Sequence, residues 1–470
     1  MYVEQLYTGC LAEAAYYIES NGEAAIVDPL RETEPYLELA AERGAKIKYV
    51  FETHFHADFV SGHIDLAKTS GAKIVFGPNA KPNYDAYVAE DGEVLALGDV
   101  KIKVLHTPGH TMESTTFLLV DENGKNNSIF TGDTLFIGDV GRPDLAVKSD
   151  LSREDLAGHL FDSLRNKIMP LEDEVIVYPG HGAGSACGKM MSQETVDTLG
   201  HQKETNYALR ADMTREEFVA AVTDGLVAPP QYFPKNAVLN RQGYESIDKV
   251  MDRALVALGV DEFEKMANEE ATLVLDTRSE EAFIKGFIPG SMFVGVDGTF
   301  ATWVGTLVED LNTPFLIVAD PGKEEEVVTR LARVGYDHVV GYLKGGFSAW
   351  KAASKPVDTL AEVSANDIYE YFNAGNQINA LDVRKASEYN AEHIVGFENF
   401  PLDFVNQNLD QLDPEQTYYL QCKGGYRSVI MASIMKARGF KRPVNIKDGF
   451  KALVNTPLKR SEYQEQNTML

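Results

Sequence analysis

Two groups of residues in this chain have types and spacing that can do chemistry. In Thr53-His54-Phe55-His56-Ala57-Asp58-Phe59, two histidines and an aspartate alternate within five residues. Imidazole and carboxylate suit zinc, iron and manganese, and a tight loop can aim several of them at one point. A single histidine would read as a packed or solvated ring; this density of ligand types does not. The second group is Cys422-Lys423-Gly424-Gly425-Tyr426-Arg427-Ser428. A cysteine at a strand end, in a glycine-rich loop that opens a helix, has backbone N–H groups and the helix dipole pointed at its sulfur. That setting favours a thiolate and an anionic persulfide. Cys422, Lys423 and Arg427 are the catalytic candidates here, and Gly424, Gly425, Tyr426 and Ser428 the substrate-binding cradle.

Strands must position these groups. Tyr49-Val50-Phe51 is an apolar strand leading into the first histidines. Val100-Lys101-Ile102-Lys103-Val104 alternates apolar and charged residues, as a half-buried strand does, and runs into His106-Thr107-Pro108-Gly109-His110. Ser128-Ile129-Phe130 empties into Thr131-Gly132-Asp133, and Val175-Ile176-Val177 into Tyr178-Pro179-Gly180-His181-Gly182. Ligands gathered at the ends of adjacent strands are the layout of a metal site on a rigid sheet.

The 470 residues exceed one hydrophobic core, so two to four domains are expected. No apolar run approaches the roughly 20 residues that span a membrane. The N-terminal stretch lacks the basic and apolar regions of a secretory signal and reads as a first strand. A net charge of −27 (44 Lys and Arg against 71 Asp and Glu) argues against nucleic acid or an anionic membrane as partner. The three cysteines, Cys10, Cys187 and Cys422, are too scattered for a disulfide framework, which points to a reducing cytoplasm. Cys10, in an apolar stretch, reads as a packed small hydrophobe.

The ordered series T-H-F-H-A-D, H-T-P-G-H-T, T-G-D-T and P-G-H-G resembles the metallo-β-lactamase superfamily. The resemblance implies an αββα sandwich with the metal at one edge between two sheets. Two-zinc hydrolases of the superfamily open with H-x-H-x-D-H, and Phe59 stands where the last histidine would be. A phenyl ring cannot coordinate, so one ligand of a second metal is missing. The superfamily's persulfide dioxygenases hold one Fe(II), and the resemblance implies His54, His110 and Asp133 as its ligands. Two histidines and a carboxylate leave positions open for substrate and O₂. His56, Asp58 and His181 match zinc-binding positions of the hydrolases and would here orient ligands or water. Arg142, in Gly138–Asp144, could pair with an anionic group of a thiol-bearing substrate or only brace its loop. Cys187 could face a substrate channel, and Lys189 could meet an anionic tail.

Pro229, Pro230 and Pro234 predict a linker or extended strap, with a domain boundary near residue 250. The remainder is a duplication: Asp276-Thr277-Arg278 recurs 106 positions on as Asp382-Val383-Arg384, and Gly346-Phe347 recurs 103 positions on as Gly449-Phe450. Each copy alternates strands with helices, which gives two α/β domains with parallel sheets. The D-x-R after a strand and the G-G-F-x-A-W ending resemble rhodanese domains. A phosphatase of related fold uses Cys-x5-Arg; the shorter spacing between Cys422 and Arg427 suits one sulfur better than a tetrahedral phosphate. The 103 offset sets Ala319 where Cys422 stands, beside Glu324, Glu325 and Glu326, so the first copy is expected to be inactive, a spacer or docking surface. Asp276 and Arg278 read as a fold-holding ion pair.

The expected division is thus 1–250 for the metal-binding domain with its helical extension and strap, 251–356 for the inactive copy and 357–470 for the active one. The whole resembles persulfide dioxygenase–rhodanese fusions. That implies oxidation of a low-molecular-weight thiol persulfide (of glutathione, coenzyme A or bacillithiol type) by O₂ to sulfite at one Fe(II) per chain. Sulfur transfer through Cys422 would then form thiosulfate from sulfite, in a homo-oligomer. The alternatives are a zinc thioester hydrolase of glyoxalase II type with a fused sulfurtransferase, and a non-enzymatic sulfur carrier.

Overall fold

A computed structural model of the chain describes residues 1–145, 151–226, 228–269 and 271–464. They form two compact units. The first comprises Met1–Ile247 with the short segment Ala332–Gly335; the second comprises Asp248–Leu331 and the described residues from 336 onward. Among the described residues no helix is long and apolar enough to cross a membrane.

The first unit is built on two six-stranded sheets. One runs β1 (Tyr2–Thr8), β2 (Glu13–Ser20), β3 (Glu23–Val27), β4 (Lys46–Glu52), β5 (Lys73–Phe76) and β6 (Tyr87–Val88), neighbours in space as in sequence. The other runs β7 (Val94–Leu97), β8 (Val100–His106), β9 (Thr115–Val120), β10 (Asn126–Gly132), β11 (Ile176–Pro179) and β12 (Asp197–Thr198). Alternation decides the layers. In β8, Val100, Ile102 and Val104 are buried while Lys101 and Lys103 face outward, and the buried set meets Tyr16, Phe51, Val75, Phe117 and Phe130 between the sheets. On the outer face of the first sheet Tyr17, Ile26 and Val50 pack on Tyr36, Ala40 and Leu66 of two helices. On the outer face of the second, Ile129 and Val177 pack on Ala157, Leu160, Leu164 and Phe218. The layers are therefore αββα.

The proline-rich stretch is not an extended strap throughout. Phe233–Gln242 is a helix, with Pro234 in its first turn. Proline is excluded from helix interiors because it lacks an N–H and clashes with the preceding turn, but the first turn needs no such donor.

The second unit holds two five-stranded parallel sheets of the same order. In one, β14 (Leu273–Asp276) lies between β15 (Met292–Phe293) and β16 (Phe315–Val318), followed outward by β17 (Val339–Leu343) and β13 (Ala257–Leu258). In the other, β19 (Asn379–Asp382) lies between β20 (Glu398–Asn399) and β21 (Thr417–Gln421), followed by β22 (Arg442–Ile446) and β18 (Ala361–Val363). The duplication extends to side chains. Arg278 binds Asp276 at 2.9 and 2.6 Å and stacks over Phe347; Arg384 binds Asp382 at 2.9 and 2.6 Å and stacks over Phe450.

Candidate metal centre and sulfur-transfer site

Four strand ends of the first unit converge. His54 follows β4, His110 follows β8, Asp133 follows β10 and His181 follows β11, all buried. Asp133 Oδ2 lies 3.4 Å from His110 Nε2 and 4.0 Å from His54 Nε2, and its Oδ1 lies 3.6 Å from His181 Nε2. Each ring is fixed from behind. Thr53 Oγ1 donates its proton to Asp28 at 2.8 Å and so accepts from His54 Nδ1–H at 2.9 Å. His110 Nδ1–H donates to the Arg142 carbonyl at 2.9 Å, and His181 Nδ1–H to the Ala12 carbonyl at 3.1 Å. All three Nε2 atoms therefore face Asp133. Burial, together with His56, His110 and His181, holds His54 well below the usual imidazole pKa, so it is neutral and free to coordinate.

Asp133 tests whether a cation fits. Both its carboxylate oxygens are buried and hydrogen-bond to nothing among the described residues. An uncompensated buried carboxylate costs several kcal/mol. His54, His110 and Asp133 offer atoms close enough to hold one ion, and the N, N, O donor set suits iron, zinc or manganese.

His56, only two residues from His54, faces elsewhere. Its Nε2 lies 3.1 Å from Asp28 and 3.7 Å from Glu52, and its ring packs against that of Phe59, 4.4 Å between centroids. Burial opposes its charge, but Asp28, Glu52 and Asp58 outweigh burial and push its pKa up to about 10. Asp58 approaches His181 Nε2 at 3.3 Å and, with Cys187, makes a second cluster of possible ligands. Burial, Asp58 and Asp133 push the Cys187 thiol well above its usual range, so it is protonated.

Two residues considered for substrate binding are committed within the protein. Arg142 binds Asp144 through two nitrogens at 2.7 and 2.8 Å and also donates to the Ala186 carbonyl. It therefore braces its loop, and its own carbonyl holds His110. Lys189 donates to the carbonyls of Ala221 and Asp224 at the C-terminal end of helix Arg215–Thr223, where the helix dipole favours a cation.

Asn240, on the proline-started helix, is a site residue with no local sequence signal. Its amide donates to the carbonyls of His56 and Phe59 at 2.7 Å each, and its Oδ1 accepts from Ser61 N–H at 2.9 Å. These bonds clamp the histidine loop. Asn240→Ala would leave three buried backbone groups unpaired, and the first unit is expected to lose about 3 kcal/mol of stability in urea unfolding. A loss below ~0.5 kcal/mol would show that water replaces the amide.

In the second unit Cys422 follows β21 and is buried at 1% exposure. Gly425 N–H donates to its sulfur at 3.1 Å. The glycine of the G-F pair is required by close approach. Gly449 has φ +51°, and a Cβ there would stand 2.1 Å from the Cys422 carbonyl oxygen, which accepts from Phe450 N–H. Gly346 has φ +58°, and a Cβ there would stand 2.9 Å from the Ala319 carbonyl. Ala319 thus occupies the cysteine's place, with no thiol. Arg427 is not a free charge: it binds Glu388 at 2.5 and 2.9 Å. Burial works against its charge, but Glu388 and then the Cys422 sulfur raise its pKa. Ser428 is buried, 2.7 Å from both the Gly425 carbonyl and Asn445 Oδ1, so it supports the loop from behind. Lys423, Gly424, Tyr426 and Arg427 border the open side with Cys422.

Comparison with known proteins agrees with this architecture. The family model for the metallo-beta-lactamase superfamily matches residues 8–181, and that for the rhodanese-like domain matches 259–353 and 364–456. The hydroxyacylglutathione hydrolase GloC of Haemophilus influenzae is 32% identical over 188 residues, 35% of this chain and 83% of that protein. The human mitochondrial persulfide dioxygenase ETHE1 is 29% identical over 211 residues, 44% of this chain and 74% of that protein. A solved metallo-beta-lactamase from Staphylococcus aureus superposes with a TM-score of 0.64 at 31% identity, covering 73% of this chain and 98% of its own. The chain belongs to the metallo-beta-lactamase superfamily and carries two rhodanese-like domains behind that fold.

Proposed function

We propose that the first unit oxidises a low-molecular-weight thiol persulfide with O₂, and that Cys422 transfers sulfane sulfur to the sulfite so formed. The overall chemistry is R–S–SH + O₂ + H₂O → R–SH + SO₃²⁻ + 2 H⁺. The observation that carries the proposal is the loop after β4. His54 joins His110 and Asp133, while His56 is drawn off by Asp28 and Glu52 and Phe59 offers no ligand. A two-histidine, one-carboxylate set leaves positions open for two small ligands, the pattern of Fe(II) oxygenases. The ion would supply redox chemistry toward O₂ and a positive site for the persulfide anion. The protein's own part is to hold His54 and His110 by their Nδ1–H groups in coordinating tautomers. It also keeps Asp133 buried beside them.

At Cys422 the thiolate attacks the outer sulfur of R–S–SH. The old S–S bond breaks, RS⁻ leaves and Cys422 carries –S–SH; sulfite then takes that sulfur as thiosulfate and restores the thiolate. The Gly425 N–H directed at Sγ supports the anionic forms.

One observation favours thioester hydrolysis instead. Asp58, His181 and Cys187 could hold a second ion, and a hydroxyacylglutathione hydrolase is among the relatives. Metal analysis after anaerobic purification, followed by O₂ uptake with glutathione persulfide, separates the two. One iron per chain with O₂ uptake is expected; two zinc ions with thioester cleavage and no O₂ uptake would replace this proposal by the hydrolase.

A further inference from the structure

The rhodanese-like domain without a cysteine contributes more than spacing. The cavity over Cys422 measures about 340 Å³ and is bordered not only by Lys423, Gly424, Tyr426, Arg427 and Lys451 but by Thr299 and Trp303. Both belong to the other copy, at the start and middle of its helix Phe300–Leu307. The active copy holds that helix at its C-terminal end and also holds the strand Met292–Phe293 and the turn that lead into it. Tyr426, in the cysteine loop, donates its hydroxyl to the Gly295 carbonyl at 2.9 Å and stands edge-on to Phe293. Ser433 accepts from Phe293 N–H at 2.9 Å, and Asn406 donates to the Leu307 carbonyl at 2.9 Å. The half-buried indole is thus fixed opposite the reactive sulfur.

We propose that Trp303 is a specificity-determining wall of the Cys422 pocket, and that the pocket takes an organic persulfide with a carboxylate-bearing tail in preference to inorganic thiosulfate. This rests on the sulfur-transfer role given to Cys422 above. The size agrees: small-molecule sites measure ~300–1,000 Å³, and this cavity lies within that range. The chemistry agrees as well. An aromatic face packs a carbon chain, and among the described residues neither Lys423 nor Lys451 pairs with a carboxylate, so two ammonium groups are available to an anionic tail. Arg427, held by Glu388, adds less.

The test uses the full chain with cyanide as sulfur acceptor and either glutathione persulfide or thiosulfate as donor. Trp303→Ala is expected to raise KM for glutathione persulfide about tenfold while leaving KM for thiosulfate within about twofold, and Trp303→Phe to restore most of the loss. An equal change for both donors, or none, overturns the proposal. A second measurement needs no truncated variant. The chain has two tryptophans, and Trp350 is buried. Titration of the wild-type protein with S-methylglutathione should quench fluorescence saturably, and Trp303→Phe should remove that response. Quenching that persists in Trp303→Phe, or is absent from wild type, also overturns it. Cys422→Ser distinguishes the two levels: sulfur transfer surviving that change would refute the role of Cys422, whereas its loss alongside a silent Trp303→Ala refutes only the wall.

Discussion

Asp133→Ala is expected to remove the bound metal and O₂ uptake together, by more than ~100-fold in rate, and to leave sulfur loading on Cys422 intact. Changes to groups that merely support metal ligands already cost 10–100-fold. Asp133 lies between three imidazoles, at 3.4, 3.6 and 4.0 Å, and supplies the anionic donor of the His54, His110 and Asp133 set. Loss of activity through misfolding is distinguishable because, among the described residues, the carboxylate has no hydrogen-bond partner. Its removal deletes a buried, desolvated carboxylate, so the metal-free variant should melt no lower than the metal-free parent. Metal content, O₂ consumption with glutathione persulfide and the melting temperature check this. Full metal content with undiminished O₂ uptake would exclude Asp133 from the centre. A collapse of the melting temperature would show that the carboxylate has a structural partner in solution.

What could be read in the sequence follows from how far each signal reaches. His54, His110, Asp133 and His181 were legible because a ligand-type residue in a turn after an apolar strand is a local pattern. Asp28, Glu52 and Thr53 were not. A single acid or threonine at a strand end has many ordinary uses, and only the fold brings Asp28 and Glu52 to His56. Asn240 lies 184 residues from the His56 carbonyl it holds, beyond any spacing rule. The prolines before it suggested a strap because their effect depends on position within a helix, and the first turn tolerates what the interior does not. The duplication was legible through Asp276-x-Arg278 and its copy, whose ion pairs are buried in both sheets. That Trp303 of one copy borders the cysteine of the other was not, since neither copy's motif refers to its partner.

Cys422→Ser should abolish thiosulfate formation, by at least ~100-fold, while O₂ uptake by the first unit persists and sulfite accumulates instead. Serine replaces sulfur with oxygen, which is weakly nucleophilic at its own pKa and forms no persulfide. The loop should survive the change. What anchors residue 422 is its backbone carbonyl, accepting from Phe450 N–H across the close approach that Gly449 permits. The Gly425 N–H that now meets sulfur at 3.1 Å can donate to a hydroxyl oxygen. Arg427 stays on Glu388, and Ser428 on Gly425 and Asn445; the Ser428 hydroxyl, which also approaches the sulfur at 3.7 Å, can donate to a hydroxyl oxygen as well. The lost function therefore reports the sulfur atom and not the fold around it. Ala319, equivalent in position, has no thiol to substitute, and this pair of domains holds no cysteine besides Cys422 to sustain transfer. Thiosulfate still forming at the parental rate from persulfide and sulfite would mean that the sulfur passes directly from persulfide to sulfite, without Cys422 as its carrier.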